Sequence, residues 1–142
     1  MWWKGRLRKV IVQVDGAIGS TGQASGLGLV VRDADGRVLE VHLKRDRPQT
    51  NNEAEYSALI WALETLSSNP PQEVHIFSDS EVMVNQMTGR FSVHSPDLKL
   101  LHRQACVLAR GLPSVTYTHI PRELNSLADA LASEALWSKT PW

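Results

Sequence analysis

Apolar and polar residues alternate in three short runs over the first third of the chain, and each run is rich in β-branched side chains. A period of two is typical of strands that turn one face towards a core. The predicted strands cover residues 10–14, 26–31 and 38–43, with the first ending at Asp15-Gly16 and turn residues at 33–36 between the other two. This part of the chain is therefore predicted to form a three-stranded meander.

The spacing of the apolar residues becomes helical after residue 51. Leu59, Leu63 and Leu66 share one side of a helix predicted over residues 52–66, which Asn69-Pro70-Pro71 ends. A fourth strand is predicted at 74–77. A short helix follows at 78–87, with residue 78 or 79 as its cap and residue 89, a glycine, in the left-handed conformation after it.

The last third of the chain predicts a helix, a strand and a final helix. The first of these helices opens at Ser95-Pro96-Asp97 and stops before Gly111, and the strand covers 115–120. The final helix is predicted over 122–137, with Leu124 in its packing stripe. The order βββαβααβα predicts an α/β fold, a five-stranded mixed sheet flanked by helices on both faces, because parallel strands need helical crossovers.

Length and composition are those of one domain. We expect residues 1–142 to share one core, because a chain of this length buries most of its apolar surface. The N-terminus lacks the features of a secretory signal, and no apolar stretch reaches membrane-spanning length, so we expect a cytoplasmic protein without a membrane partner. Cys106 is the single cysteine, which excludes an internal disulfide and a cysteine-based metal site.

The formal net charge is zero, which by itself does not favour a nucleic-acid ligand. The basic residues nevertheless cluster along the chain, and for phosphate binding a local cluster of positive charge matters more than the net charge. These clusters are either phosphate-binding sites or solubilising surface charges, and the sequence favours neither. They comprise Lys4, Arg6, Arg8 and Lys9, then Lys44, Arg45 and Arg47, with Arg103 and Arg110 further on.

Two acidic residues follow predicted strands. Asp15 ends the first strand and Asp79 ends the fourth, and ligands gather at the carboxyl ends of adjacent strands in open α/β sheets. The two carboxylates are therefore expected to meet there. Taken singly, each has an alternative explanation, because Asp15-Gly16 suits a turn and Asp79 suits a helix cap.

Two further acids lie on the apolar faces of predicted helices. Glu55 shares a face with Leu59 and Leu66, and Asp129 shares one with Ala132 and Leu136. Burying an unpaired carboxylate is costly, so each needs a cation or a hydrogen-bond donor. Four converging carboxylates without cysteine or paired histidines predict a hard oxygen-ligand site for Mg²⁺ or Mn²⁺, suited to metal-dependent hydrolysis.

Four sequence blocks, in this order and at the predicted element boundaries, resemble the type 1 RNase H family over nearly the whole chain. They are Val14-Asp15-Gly16, Thr50-Asn51-Asn52-Glu53-Ala54-Glu55-Tyr56, Ser78-Asp79-Ser80, and Pro121-Arg122-Glu123-Leu124-Asn125 leading to Ala128-Asp129-Ala130. The resemblance implies an RNase H-like fold and two-metal hydrolysis of the RNA strand of RNA–DNA hybrids, leaving 3′-hydroxyl and 5′-phosphate ends. It also implies the four residues that act as catalytic acids and metal ligands, namely Asp15, Glu55, Asp79 and Asp129.

The same resemblance implies the substrate contacts. Asn51 and Asn52 match residues that touch the hybrid backbone, and Thr50 matches one near the DNA strand. Gly16 and Asn125 lie in matching blocks and are expected to contact substrate as well. An alternative function for the two adjacent asparagines is capping of the helix before residue 53.

The sequence departs from the family pattern at three places. Residues 19–22 read Gly-Ser-Thr-Gly where the family commonly has Gly-Asn-Pro-Gly, and residues 89–95 are too few for the basic protrusion of long members. The loop before the last helix is too short for a mobile catalytic histidine. Arg122 resembles the arginine that short archaeal-like members have at that place, and we favour it over His119 as the auxiliary catalytic group.

Other functions remain open at this point. A nuclease of the same fold can act on double-stranded RNA or branched DNA, since fold does not determine substrate. A domain that binds hybrids without cutting them is a second alternative, although no acid is missing. An oligomerisation role for the terminal tryptophans is a third, but we expect a monomer in which Trp2, Trp3, Trp137 and Trp142 pack the chain ends against the sheet.

Overall fold

A five-stranded mixed sheet organises residues 8–137, which are the residues that the computed structural model describes. Its strand order is β3-β2-β1-β4-β5; β1 and β3 run antiparallel to β2, whereas β4 is parallel to both β1 and β5. The predicted α/β class and mixed sheet are therefore confirmed. The strands are β1 (Lys9–Ile18), β2 (Ser25–Asp33), β3 (Val38–Asp46), β4 (Glu73–Ser78) and β5 (Val115–His119).

Within the described part of the chain, four α-helices connect or follow the strands in the predicted order. None of the helices within residues 8–137 combines the length and the apolar character needed to cross a membrane. The prediction of a single domain over residues 1–142 stays a prediction. The helices are α1 (Asn51–Ser67), α2 (Glu81–Met87), α3 (Pro96–Arg110) and α4 (Ser126–Ala135), the last preceded by a 3₁₀ turn over Arg122–Asn125.

The first strand does not end at Asp15-Gly16, as its turn chemistry predicts. Strand β1 continues to Ile18 because its residues go on pairing with β2, Asp15 with Gly28 and Ala17 with Gly26. Pairing with β4 on the other side stops at Gln13. Asp15 therefore lies within a strand and beside the open end of β4.

The cap of α2 also differs from the prediction. Ser80, rather than residue 78 or 79, is the N-cap, and its hydroxyl accepts a hydrogen bond from the Met83 backbone N–H at 3.2 Å. Asp79 is therefore left outside the helix, with its carboxylate available to the site. Gly89 follows α2 with a φ of 81°, as predicted.

The last helix begins four residues later than predicted. Residues 122–125 form a 3₁₀ turn, and Leu124 is 66% exposed instead of belonging to the packing stripe. Asn125 takes the buried position in this turn and is bonded to β1. The turn therefore directs Leu124 outwards.

Close packing of α4 on the sheet depends on two glycines in β2. A Cβ on Gly26 would overlap the backbone of Ala132, and one on Gly28 would overlap that of Ala128. Both alanines are fully buried. Helix α1 packs on the opposite face over β1 and β2, so both faces of the central strand are covered.

The terminal tryptophans do not all behave as expected. Trp137 is 82% exposed, so the prediction that it packs its end of the chain against the sheet is wrong. It follows α4 and contributes to a small cavity beside the residue 19–24 turn. Trp2, Trp3 and Trp142 lie outside the described residues.

Candidate active site

A cavity of about 490 Å³ opens where the pairing of β1 with β4 ends. Gln13 and Phe77 are the last residues paired between these parallel strands, and Asp15 and Asp79 each lie two positions beyond that pair. The two acids therefore occupy equivalent positions at the same edge. The cavity is lined by Asp15, Gly16, Ala17, Ile18, Asn51, Glu55, Asp79, Ser80, Arg122, Asp129, Ser133 and Leu136.

Glu55 reaches the cavity because α1 begins against β1. A Cβ on Gly16 would lie 2.7 Å from the Glu55 backbone nitrogen and closer still to the Ala54 carbonyl group, so only glycine allows this approach. The Gly16 N–H donates a 2.7 Å hydrogen bond to Oε1 of Glu55. This bond orients a side chain that is only 4% exposed.

Three of the acids converge on one point. Asp15, Glu55 and Asp79 each offer an oxygen atom, and these oxygens lie within 4.8 Å of one another. Asp129 extends from α4 into the same cavity. Its Oδ1 lies 3.7 Å from an Nη of Arg122, which is largely exposed at the rim.

Burial, and then the charges of neighbouring carboxyls, raises the pKa values of three acids in this cavity. Burial, followed by the charges of Glu55 and Asp79, raises the pKa of Asp15 to about 10. Burial raises the pKa of Glu55 to about 7, although hydrogen bonds from Asp15 and Gly16 act in the opposite direction. The pKa of Asp79 is also raised by burial, and the Arg122 charge partly offsets that rise. The cluster therefore holds protons at neutral pH unless other cations compensate its charge.

The donor atoms of the cavity fit a hard divalent cation. The charged groups in its lining are carboxylates and one guanidinium, and neither histidine nor cysteine is among the described residues that form it. Carboxylate oxygens are the ligands that Mg²⁺ and Mn²⁺ prefer, and a cation would offset the repulsion within the cluster. All four predicted acids line this cavity.

The predicted substrate-contacting residues divide into two groups. Gly16 and Asn51 line the cavity. Thr50 and Asn52 are exposed outside it, and Thr50 is the N-cap of α1 in a capping box with Glu53. The cap is thus Thr50, and the proposed capping role of the two asparagines is wrong.

Asn125 lies outside the cavity, although it was expected to contact substrate. It is fully buried and does not line the cavity. Its side chain is bonded to β1 rather than facing a ligand. The hydrogen bond to β1 gives Asn125 a structural role, and its expected contact with substrate stays a prediction.

The two candidates for the auxiliary catalytic group are clearly separated. Arg122 lines the cavity, whereas His119 is an exposed residue at the end of β5 and does not. The structure brings only the arginine to the carboxylates.

Two polar residues that line the cavity were missed by sequence reasoning. Ser133 lies one helical turn after Asp129 on α4, and the i, i+4 spacing was a usable signal. Ser80 lines the cavity while also capping α2. No feature of the sequence identified Ser80 as a cavity residue separately from its neighbour Asp79.

A mixed sheet of this order, with acids from β1, α1, α4 and the end of β4 around one cavity, defines an α/β domain with a candidate metal site. Residues 13–135 match the family model described as reverse transcriptase-like. Ribonuclease HI of Halobacterium salinarum is 34% identical over 128 residues, which are 90% of this chain and 64% of that protein. A Mycobacterium tuberculosis protein described as bifunctional is 36% identical over 129 residues, and the chain spans only 35% of its length.

Solved structures agree with these matches. RNase H1 from Halobacterium salinarum superposes with a TM-score of 0.85 at 34% identity, covering 90% of this chain and 97% of that one. The N-terminal RNase H domain of the Mycobacterium tuberculosis protein gives 0.84 at 36% identity, covering 90% and 93%. LC11-RNase H1, solved in complex with RNA/DNA hybrid, gives 0.83 at 35% identity, covering 89% and 95%. The chain belongs to the reverse transcriptase-like family and, within it, to the type 1 ribonucleases H.

Proposed function

We propose that this chain is a divalent-metal-dependent endoribonuclease that hydrolyses the RNA strand of RNA–DNA hybrids and leaves 3′-hydroxyl and 5′-phosphate ends. The observation that carries the proposal is the convergence of carboxylate oxygens from Asp15, Glu55 and Asp79 within 4.8 Å in an open cavity. The ribonuclease HI relative and the RNase H1 solved with a hybrid support the choice of substrate.

The catalytic acids and metal ligands would be the four cavity carboxylates, with Mg²⁺ or Mn²⁺ as the cation. Two such ions, when bound, would supply an activated water and would stabilise the leaving oxygen of a phosphodiester. The burial and mutual repulsion that raise the carboxyl pKa values support cation binding, because a divalent ion would offset the negative charge of the buried carboxylates. These ligands are Asp15, Glu55, Asp79 and Asp129.

The surrounding residues of the chain have separate roles. The Gly16 N–H holds the Glu55 carboxylate in position, which keeps one oxygen facing the cavity. Arg122, at the rim beside Asp129, would stabilise negative charge that develops on the scissile phosphate. We assign it as the auxiliary catalytic group.

Substrate contacts would come from residues around the start of α1 and the cavity wall. Asn51 lines the cavity and has amide groups that can hydrogen-bond to a backbone or a 2′-hydroxyl. Gly16, Thr50 and Asn52 are proposed as additional contacts, with Thr50 and Asn52 exposed beside the cavity. Polar groups that face a wide, shallow minor groove can select the RNA strand by its 2′-hydroxyls.

The decisive experiment is a divalent-metal titration with end-labelled RNA–DNA hybrid, duplex RNA and duplex DNA of one sequence. We expect cleavage of the RNA strand of the hybrid with Mg²⁺ or Mn²⁺ and none in EDTA. Products should accept a 5′ label from a kinase only after dephosphorylation, as 5′-phosphate ends require. Failure to cut the hybrid with either metal, or equal cutting in EDTA, would refute the proposal, and the duplex RNA arm shows whether that substrate is cut as well.

We also expect residues 1–142 to act as one catalytic domain and as a monomer, since the four acids come from one chain. Sedimentation at micromolar protein concentration checks this expectation. If the protein sediments as a dimer instead, the exposed Trp137 is the first candidate for an interface residue.

A further inference from the structure

Gln13 is a buried polar residue of the central strand, and it has no part in the proposed chemistry. It lies two positions before Asp15 on the same face of β1, because alternate residues of a strand share a face. It is only 6% exposed, and it is not among the residues that line the carboxylate cavity. Burying an amide is costly unless it is hydrogen-bonded, so the partners of Gln13 indicate what it contributes.

The Gln13 amide is held in one orientation by Arg32. The Nε atom of Arg32 donates a 2.7 Å hydrogen bond to Oε1 of Gln13. A guanidinium can only donate, so this bond leaves Nε2 of the amide to face the other way. Arg32 is held in turn, because its Nη1 donates a 2.9 Å hydrogen bond to the carbonyl oxygen of Gly36 in the β2–β3 connection.

The other end of the amide is bonded to the 3₁₀ turn over Arg122–Asn125. Nε2 of Gln13 donates to the carbonyl oxygen of Leu124 at 3.0 Å and to Oδ1 of Asn125 at 3.4 Å. The charge of Arg32 polarises the amide, which strengthens the bonds that Nε2 donates in a buried site. Gln13 therefore attaches this turn to a strand more than a hundred residues away in sequence.

The segment that carries Arg122 is attached on both sides to the strands that carry acids. Two residues before the arginine, the Ile120 N–H donates a 2.9 Å hydrogen bond to the carbonyl oxygen of Ser78, at the end of β4. Two residues after it, the Leu124 carbonyl accepts the bond from Gln13 on β1. Arg122 lies midway between these two attachments.

The Arg122 side chain has little packing of its own. It is 79% exposed, and its guanidinium lies 3.7 Å from Oδ1 of Asp129. An exposed ion pair of this kind is weak, so it does not fix the side chain by itself. The backbone of the 3₁₀ turn therefore sets the position from which the arginine reaches the cavity.

We propose that Gln13 is a positioning residue, which holds the 3₁₀ turn so that Arg122 faces the carboxylate cavity. The proposal rests on the proposed function in that Arg122 assists cleavage of the hybrid. Gln13 acts only through the turn, and Arg32 supports it by keeping the amide in the donating orientation.

The test compares Gln13→Met with Val74→Ala as the control. Methionine fills a similar space but has only a weakly accepting sulfur, so it removes the bonds to the turn without leaving a large cavity. Val74 is fully buried at the start of β4, away from Asp79 at its other end, so its truncation lowers stability at a distance from the cavity. Both substitutions are also made in Arg122→Ala protein.

Gln13→Met should lower kcat for hybrid cleavage roughly three- to tenfold and leave KM within about twofold of the wild type, because a displaced group costs rate rather than affinity. In Arg122→Ala protein the same substitution should leave kcat unchanged, because the side chain that it displaces is already absent. Val74→Ala should lower the midpoint of thermal unfolding by several degrees in either protein and leave kcat unchanged.

Two further measurements cover other outcomes. Arg32→Met retains Gln13 but frees its amide to rotate, so it should show a smaller loss of kcat that again disappears in Arg122→Ala protein. Backbone ¹⁵N relaxation of residues 122–124 needs no cleavage. The order parameters should be about 0.85 in the wild type and in Val74→Ala, and should fall towards about 0.6 in Gln13→Met.

The proposal is overturned if Gln13→Met keeps the wild-type kcat, or if it lowers kcat by the same factor with and without Arg122. Unchanged order parameters for residues 122–124 in Gln13→Met also overturn it. A wild-type protein that never cuts hybrid refutes the proposed function, and the order parameters then decide by themselves whether Gln13 positions the turn.

Discussion

The side-chain amide of Asn125 donates a 3.0 Å hydrogen bond to the carbonyl oxygen of Val14, the residue before Asp15. Gln13 strengthens the connection, because its Nε2 donates to the Leu124 carbonyl at 3.0 Å and its Oε1 accepts from Nε of Arg32 at 2.7 Å. These bonds attach the 3₁₀ turn to the central strand. The position of α4 relative to Asp15 therefore depends on the buried side-chain amide of Asn125.

Replacing Asn125 with alanine should lower the free energy of unfolding by about 1–3 kcal/mol, because the Val14 carbonyl would remain buried without a partner. Urea denaturation measures this loss. Asn52→Ala, on the exposed first turn of α1, is the control and should change stability by less than about 0.5 kcal/mol. A raised KM with unchanged stability in Asn125→Ala would instead indicate a substrate contact.

Asp79→Asn should fold but lose Mg²⁺- and Mn²⁺-dependent cleavage of a labelled hybrid by at least roughly a hundredfold. The substitution removes one of the three converging carboxylates, and metal ions contribute several kcal/mol of transition-state stabilisation. Asp35→Asn, in the exposed β2–β3 turn, is the matched control and should keep full activity. Wild-type turnover in Asp79→Asn would refute the metal-site assignment.

In EDTA, Asp15→Asn should be more stable than the wild type at pH 8 but not at pH 4. The ordinary pKa of 3.8 applies to unfolded Asp15, and burial raises the pKa to about 10 in the folded protein. The folded state then binds more protons than the unfolded state, so the free energy of unfolding of the wild type falls as the pH rises above about 4. At pH 8 the expected difference is about 1–3 kcal/mol, the size of a buried-group desolvation penalty.

Thermal unfolding of both proteins across this pH range measures the difference. Saturating Mg²⁺ should raise the midpoint of the wild type more than that of Asp15→Asn, because a ligand that binds only the folded state stabilises it. The difference in free energy of unfolding between the two proteins should change from pH 4 to pH 8. A constant difference would contradict the assignment of the raised pKa to Asp15.

Arg122→Ala should lower kcat by roughly tenfold to a hundredfold while leaving hybrid binding largely intact, because the guanidinium lies at the cavity rim beside Asp129. His119→Ala should change kcat little, since this histidine is outside the cavity. Steady-state kinetics with matched hybrid concentrations compare the two variants. The reverse ranking would show that the histidine is the auxiliary group.

Much of this architecture is predictable from local patterns. The alternation of Val10, Val12 and Val14 places a strand at the centre of the core, where all three are buried. The helical face that Glu55 shares with Leu59 predicts a buried carboxylate, and Glu55 is buried. Periodicity reports which face of an element is covered, so it also reports which acids require partners.

The misplaced boundaries have non-local causes. Asp15-Gly16 has the chemistry of a turn, yet β2 supplies backbone partners that extend the strand to Ile18. Leu124 continues a helical apolar pattern, yet Asn125 takes the buried position because its amide finds the Val14 carbonyl, more than a hundred residues earlier. The partner of Asn125 lies outside any window of neighbouring residues, whereas β2 begins one hairpin turn after Ile18, and only the observed register shows how far its pairing extends.

The sequence by itself determined the order of the elements, the inward direction of Glu55 and the set of acids that meet. Only the tertiary structure decided their distances, the separation of Arg122 from His119 and the buried position of Asn125 against β1. The reason is physical: periodicity assigns a residue to a face, whereas convergence depends on close approaches such as that of Gly16 to Ala54. Such approaches arise only when distant segments pack.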